Sequence, residues 1–240
     1  QDTLPMLLVA EHQTRGRGRM GRVWHATRGA SLTMSLALTY RPQDWSGLSL
    51  AVGCALADAL DPPTSNVPRI GLKWPNDLWL MDGGLAGPGR KLGGILIETV
   101  AAGAQRMCVV GVGLNVRPID IEALGIGAGP GAGLSHGLAS LSELDANVSV
   151  PGILHSVAVP LAQALLSFEQ STFTAFQAGF LRRDLLAGRT VSTSLPGWAR
   201  ATACGVDGRG ALQVRGPDGQ VQGVGSGEIQ LLPNPLEVVA

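Results

Sequence analysis

Lysine is the scarce cation in this sequence. Of its 18 Lys and Arg residues only Lys73 and Lys91 are lysine, in the compact motifs Lys73-Trp74-Pro75-Asn76-Asp77 and Lys91-Leu92-Gly93-Gly94. A chain that uses arginine nearly everywhere would keep lysine where a compact ammonium must approach one oxygen as a point charge. Drift toward arginine explains the same count, so the neighbouring motifs decide. Residues 13–24 place arginines at 15, 17, 19 and 22 between glycines at 16, 18 and 21. Glycine exposes backbone N–H donors and the arginines add forked donors, a combination suited to phosphate and carboxylate. Such a loop repels itself and is expected to order on an anion; taken alone it also reads as an RNA-binding Arg-Gly segment. Asn76 and Asp77 offer a neutral and a charged oxygen for a magnesium ion or a ribose, or make an ordinary Pro-Asn-Asp turn. Lys91 opens an apolar strand whose Gly93-Gly94 pair marks a bulge or a close approach. Gly111-Val112-Gly113-Leu114-Asn115 ends another apolar strand.

Other chemistries lack their residues. No G-x-G-x-x-G opens a helix and no G-x-S-x-G elbow is present. His12, His25, His136 and His155 have no metal-ligand spacing, and Cys54, Cys108 and Cys204 form neither a zinc knuckle nor a disulfide framework. A reducing cytoplasm is the expected compartment. No secretory signal and no uninterrupted 18-residue apolar segment are read, so no membrane partner is expected. Basic and acidic residues balance at 18 each, which gives no general reason to expect nucleic acid.

These motifs need elements to hold them. Residues 5–10 and 31–40 read as strands and 47–60 as a helix stopped by Asp61-Pro62-Pro63. Four apolar segments, IGLKW, DLWLM, KLGGILIETV and MCVVGVGLNV, form a meander, giving an α+β fold with a mixed or antiparallel sheet and helices on one side. The Gly/Ala-rich stretch 118–137, with a weakly helical start, is expected to be a mobile loop. A helix over 151–168 should kink or split at Pro160, and another should follow around 171–181. From Gly188, short alternating runs punctuated by Asp-Gly and Pro-Asp-Gly turns predict a small β-barrel or sandwich docked on the larger part. The boundary is placed at 187/188.

Taken in order, the GRGRxGRxW loop, KWPND, KLGG followed by ILIE, and GVGLN resemble the catalytic domain of biotin protein ligases, with that family's SH3-like C-terminal domain behind it. The resemblance implies a class II synthetase-like fold and a two-step reaction. Biotin and MgATP give biotinyl-5′-adenylate, and a lysine of a biotin carboxyl carrier protein then takes the biotin. It implies Arg17, Arg19 and Lys91 as catalytic cations, with Gln13, Gly16, Gly18, Gly94, Gly111 and Gly113 also around biotin. Arg19, Trp24, Lys73, Asn76, Asp77, Lys91, Leu114 and Asn115 would serve the nucleotide, Trp24 near adenine and Asp77 toward Mg2+. Family members usually carry a Ser-Thr-Asn-type segment ahead of the residues that align with Gln1; none is read here, so one wall of the biotin pocket is expected to be missing or built differently. The N-terminal helix-turn-helix of repressor-type relatives is not read either, and autoregulation is not expected. A lipoate or octanoate ligase-like enzyme, a catalytically impaired relative and a nucleic-acid-binding module stay open, as do monomer and homodimer.

Overall fold

Small or hydroxylated residues alternate with apolar ones from Ser31 to Thr39, a period of two that gives a strand one apolar face. The computed structural model describes residues 4–63, 67–82, 87, 89–103, 105–120, 137–227 and 229–232. Its first sheet holds β1 (Met6–Ala10), β2 (Ser31–Thr39), β3 (Ile70–Lys73), β4 (Asp77–Met81), β5 (Gly89–Ala102) and β6 (Gln105–Asn115). Every pairing is antiparallel, in the order β1-β2-β6-β5-β4-β3, and the predicted meander is its β3–β6 part. Leu32, Met34, Leu72, Leu78, Ile95, Val110, Val112 and Leu114 enter one core with side chains of α1 (Leu48–Leu60) and α2 (Val150–Ser171). The helices therefore cover one face of the sheet and leave the other for the site. The fold is α+β.

Local chemistry ends α1 as the sequence predicts. Asp61 follows the last helical residue, and its Oδ2 accepts from the N–H groups of Arg69 and Ile70, tying the stop to the start of β3. Arg183, 2% exposed, donates to Asp58, Asp61 and the Ile70 carbonyl, compensating a buried guanidinium on several sides.

Three expectations change. Pro160 does not split its helix, because α2 runs unbroken for 22 residues. Six of its residues, Ile153, Val157, Leu161, Ala164, Leu165 and Phe168, are buried on both sides of the proline. At about 1.5–3 kcal/mol for each large apolar side chain, they outweigh the roughly 3 kcal/mol of an interior proline. By length and composition alone α2 could cross a membrane, with a mean hydropathy of 1.4, although polar residues such as His155, Gln163 and Glu169 interrupt its apolar run. One face of it packs into the core, where the Tyr40 hydroxyl donates to the Leu165 carbonyl. The helix expected at 171–181 breaks at Thr172, which has φ +58°, into a 3-10 turn (Phe173–Ala175) and a short α3 (Gln177–Leu181). Residues 118–120 are not helical, and 121–136 of the expected loop lie outside the described residues.

The second sheet holds β7 (Thr190–Ser192), β8 (Arg200–Val206), β9 (Leu212–Arg215), β10 (Val221–Val224) and β11 (Gln230–Leu231) in the order β10-β9-β8-β7-β11. Its apolar side chains join the same core. Trp74 Nε1 donates to the Gly210 carbonyl, and a Cβ on Gly210 would lie 2.8 Å from the Cα of Gly47. That backbone approach locks the two sheets together.

Candidate active site

One cross-strand row forms the floor of the site. Thr33 pairs with Gly113, Gly113 with Gly94, Gly94 with Asp77, and Asp77 with Lys73, so the row crosses β2, β6, β5, β4 and β3. Directly paired residues share a face, and all five line a cavity of about 580 Å³ on the side away from the helices. Hydroxyl, two glycines, carboxylate and ammonium follow one another across the sheet.

Lys91 belongs on this face only because of an irregularity. Residues three apart in a regular strand point to opposite faces, so Lys91 should turn away from Gly94. The β4–β5 register steps from Leu78↔Gly93 to Trp79↔Lys91, leaving Leu92 as an extra residue. This bulge sends Leu92 into the core, fully buried, and returns Lys91 to the cavity. The ammonium then lies 2.8 Å from Asp77 Oδ1 and 3.8 Å from where a Cβ on Gly94 would stand. The glycine pair thus does two jobs. Gly94 clears space beside the lysine, and a Cβ on Gly93 would meet the Gly113 carbonyl at 2.5 Å.

The arginine loop folds over one end. Trp24 N–H donates to the Gly16 carbonyl and Gly18 N–H to the Arg22 carbonyl, making a narrow hairpin. Gly16 is needed for this, because a Cβ would lie 2.3 Å from the Trp24 carbonyl oxygen and 2.9 Å from Gln13 Oε1. From the loop, Arg19 donates to Asn76 Oδ1 at 3.4 Å and to the Gly227 carbonyl at 3.5 Å. Lys73 Nζ donates to the Ile229 carbonyl at 2.8 Å. Asn76 is held in turn by Ile95, donating Nδ2–H to its carbonyl and accepting its N–H. The segment between β10 and β11 therefore supplies carbonyls that fix two cations at the Asn76–Asp77 corner.

Gln13, Arg17, Gly18, Arg19, Trp24, Lys73, Asn76, Asp77, Lys91, Gly94, Gly111, Gly113 and Asn115 all border the cavity. Two residues of the sequence reading do not. Leu114 faces the helices and is fully buried in the core, because strand parity turns it from its neighbours Gly113 and Asn115. Gly16 is buried, packed against the Trp24 carbonyl and the Gln13 side chain. Asn115 borders the cavity but spends its amide on structure, donating to the carbonyls of Ala139 at 3.0 Å and Lys91 at 3.4 Å. Trp24 rests over Gly113, on the β2–β6 side, instead of at the Asn76–Asp77 corner. The sequence reading missed Thr33 and Ser35, which the period of two in β2 marks, and Gly227 and Ile229, which carry no local signal.

Asp77 and the Asn76 amide oxygen form a small donor set. Among the described residues no group of three or more His, Cys, Asp or Glu could cage a metal. Two such oxygens fit Mg2+ as a nucleotide carries it, with phosphate and water completing the shell, and do not fit a protein-built cage.

Known ligases resemble this chain in sequence and fold. The Biotin/lipoate A/B protein ligase family model matches residues 3–115. The biotin–[acetyl-CoA-carboxylase] ligase of Mycobacterium tuberculosis is 45% identical over 121 residues, 49% of this chain and 41% of that protein's length. The corresponding ligase of Paracoccus denitrificans is 30% identical over 221 residues, covering 89% of this chain and 85% of that protein. Among solved structures, the Aquifex aeolicus biotin protein ligase in complex with biotin and ATP superimposes with a TM-score of 0.73 at 25% identity, covering 95% of this chain and 89% of that one. The chain belongs to the biotin protein ligases of the biotin/lipoate A/B protein ligase family.

Proposed function

We propose that this chain joins biotin to AMP at the expense of ATP and passes the biotin to a lysine of a biotin carboxyl carrier protein. One observation carries the reading: cations from three separate segments, Arg19, Lys73 and Lys91, meet at Asn76–Asp77, at the end of a row whose centre is two glycines. Activation brings a carboxylate against a triphosphate, two anions that repel each other. Positive groups already held in place stabilise the charge that develops between them. Lys91 keeps its ammonium between the glycine floor and Asp77, where it can reach the acid and the α-phosphate together. Arg17 and Arg19 close over them from the hairpin, Gln13 borders the acid, and Lys73, on β3 and tied to the Ile229 carbonyl, holds the phosphate corner. Mg2+ arriving with the nucleotide would be met by Asp77 and Asn76, and supplies charge neutralisation of the phosphates.

In the second step the carrier's amine attacks the acyl carbonyl, the bond to the phosphate oxygen breaks, and AMP leaves. We assign activation to residues 1–187 and an SH3-like supporting role to 188–240, in a cytoplasmic setting that holds both ATP and carboxylase carriers. The test is biotin-dependent exchange of labelled pyrophosphate into ATP, followed by a streptavidin blot of a carrier domain. A folded protein that exchanges nothing refutes the proposal; exchange supported by octanoate or lipoate and not by biotin moves the chain to the other branch of the family.

A further inference from the structure

Lys91 sits where the regular ladder of the first sheet runs out. The bulge at Leu92 interrupts its pairing with β4, and the β5–β6 ladder begins only at Gly93. Residues 137–139 hold the lysine backbone instead. Lys91 N–H donates to the Gly137 carbonyl at 3.1 Å, and its own carbonyl accepts from Ala139 N–H at 2.8 Å, a parallel bridge centred on Leu138. Arg90, the residue before the lysine, anchors that segment with its side chain. The guanidinium uses all five of its donors. Nε and Nη2 bind the two carboxylate oxygens of Asp82 at 2.9 and 3.0 Å, Nη1 and Nη2 bind those of Glu143 at 3.2 and 2.6 Å, and Nη1 also reaches the Leu138 carbonyl at 3.3 Å. Glu143 in turn accepts from Ser140 N–H at 2.8 Å, in the capping box of the 3-10 turn Leu141–Glu143.

Arg90 does not border the cavity, because strand parity sends its side chain to the face opposite that of Lys91. Resting on the biotin-ligase reading for its effect on rate, we infer that Arg90 is a positioning residue: it ties Leu138 and the 3-10 turn to the end of β4, and residues 137–139 then hold Lys91 so that its ammonium stands at its working place. The fork does this and the charge alone does not. A guanidinium fixes three partners in one plane, whereas an ammonium offers three donors with no plane. Stability does not explain the arrangement. The side chains of Arg90, Asp82 and Glu143 are 32%, 43% and 35% exposed, and ion pairs that open to water add little to folding. Their effect belongs in the rate instead, since an ammonium displaced by about 1 Å from a developing charge forfeits up to about 10²-fold.

The experiment uses the whole chain with Arg90→Lys, which keeps the charge and loses the fork, alone and combined with Lys91→Ala. In pyrophosphate exchange Arg90→Lys is expected to lower kcat by about ten- to thirtyfold, with KM for biotin and for ATP within about threefold and a melting temperature within a few degrees of wild type. With Lys91 already replaced by alanine, the same change should lower kcat by less than about twofold, because the arginine then has no ammonium to place. An equal loss in both backgrounds, or full activity in a folded Arg90→Lys, overturns the inference. A second measurement needs no activity. Lys73 and Lys91 are the only lysines in the sequence, so reductive methylation with carbon-13 formaldehyde gives two lysine methyl signals by NMR, told apart with Lys91→Ala. Arg90→Gln should move or broaden the Lys91 signal and leave that of Lys73 in place. A Lys91 signal that stays put in a folded Arg90→Gln overturns the inference and leaves the ligase reading intact. A Lys91 signal that moves, in a chain whose wild type performs no exchange, supports the placement and sinks the ligase reading.

Discussion

Replacing Lys91 by arginine keeps the charge and should still disable the chain. The lysine ammonium spends one donor on Asp77 Oδ1 at 2.8 Å and has two more to offer a ligand from a crowded position beside Gly94. A guanidinium at the same place matches the Asp77 carboxylate with two parallel hydrogen bonds. Its charge is then satisfied by the protein, and its plane is fixed toward Asp77 instead of toward the acid and the phosphate. Losing one preorganised contact to a developing charge costs about 10²- to 10³-fold, or roughly 2.7–4 kcal/mol. Lys91→Arg should fall at the lower end of that range in kcat/KM for pyrophosphate exchange, and Lys91→Ala at the upper end. Stability separates the two effects. The side chains of the ion pair are 22% and 17% exposed. Such a pair contributes up to about 1 kcal/mol, so Lys91→Ala should melt only about 2–4 °C lower for a chain of this size. Exchange rates at limiting and saturating biotin, with a thermal melt of each variant, make the test. Lys91→Arg activity within threefold of wild type would show that charge alone suffices and would remove the geometric argument.

Gly113→Ala would place a Cβ 2.4 Å from the Trp24 ring. The indole must shift by about 1 Å, and misplacement on that scale costs about 10²-fold in rate. Gly94→Ala meets its nearest atom at 3.4 Å, an ordinary contact, so any loss there reports the ligand; equal melting temperatures for the Gly94 variant and wild type are the check. Gly47→Ala, at φ +78° with Phe173 atoms 2.5–2.8 Å from the new Cβ, should destabilise by about 2–4 kcal/mol through overpacking and backbone strain, read by denaturant unfolding. Burial raises the Asp184 carboxyl from 3.8 to about 6, and its Oδ2 is unpaired among the described residues. The folded state therefore holds this proton more tightly than the unfolded chain does. The contribution is full below pH 4 and is lost as pH rises through about 6, to a total near 3 kcal/mol at 1.36 kcal/mol per unit. Asp82 and Glu143, whose carboxyls the Arg90 guanidinium holds below their usual range, act in the opposite sense, their stabilisation fading as pH falls. The melting-temperature difference between Asp184→Asn and wild type isolates the first effect. It should grow from pH 4 to 7 in favour of the variant and then stay level; a constant difference would refute the assignment.

The elements were largely legible because their signals are local. Period two in β2, the Asp61-Pro62 stop of α1 and the turn pairs after Gly188 each depend on residues within one element. Proline misled where burial decided the outcome, since the core contacts of α2 come from partners distant in sequence. The same division runs through the site. Lys91, Asp77 and the glycines stand out by residue type. What joins them is register, which no single segment contains: Thr33, Gly113, Gly94, Asp77 and Lys73 become one row only when five strands pair.

That row explains why the motif around Lys91 needs its glycines and its leucine together. Were Leu92 paired in a regular ladder instead of bulged, strand parity would turn the lysine, three residues from Gly94, into the helix-packed face, where an ammonium is strongly disfavoured. With the bulge, the leucine fills the core and the lysine turns out beside Asp77. Gly93 then lets β5 approach the Gly113 carbonyl, where a Cβ would stand at 2.5 Å. Deleting Leu92 tests this directly. The deletion restores a regular strand in which Lys91 stands two residues from Gly94, opposite Trp79 and on the cavity face, so a folded deletion should keep pyrophosphate exchange while losing about 2–5 kcal/mol of core stability with the leucine. Loss of exchange in a folded deletion would mean that strand parity does not place the ammonium, and the register argument for the site would fall with it.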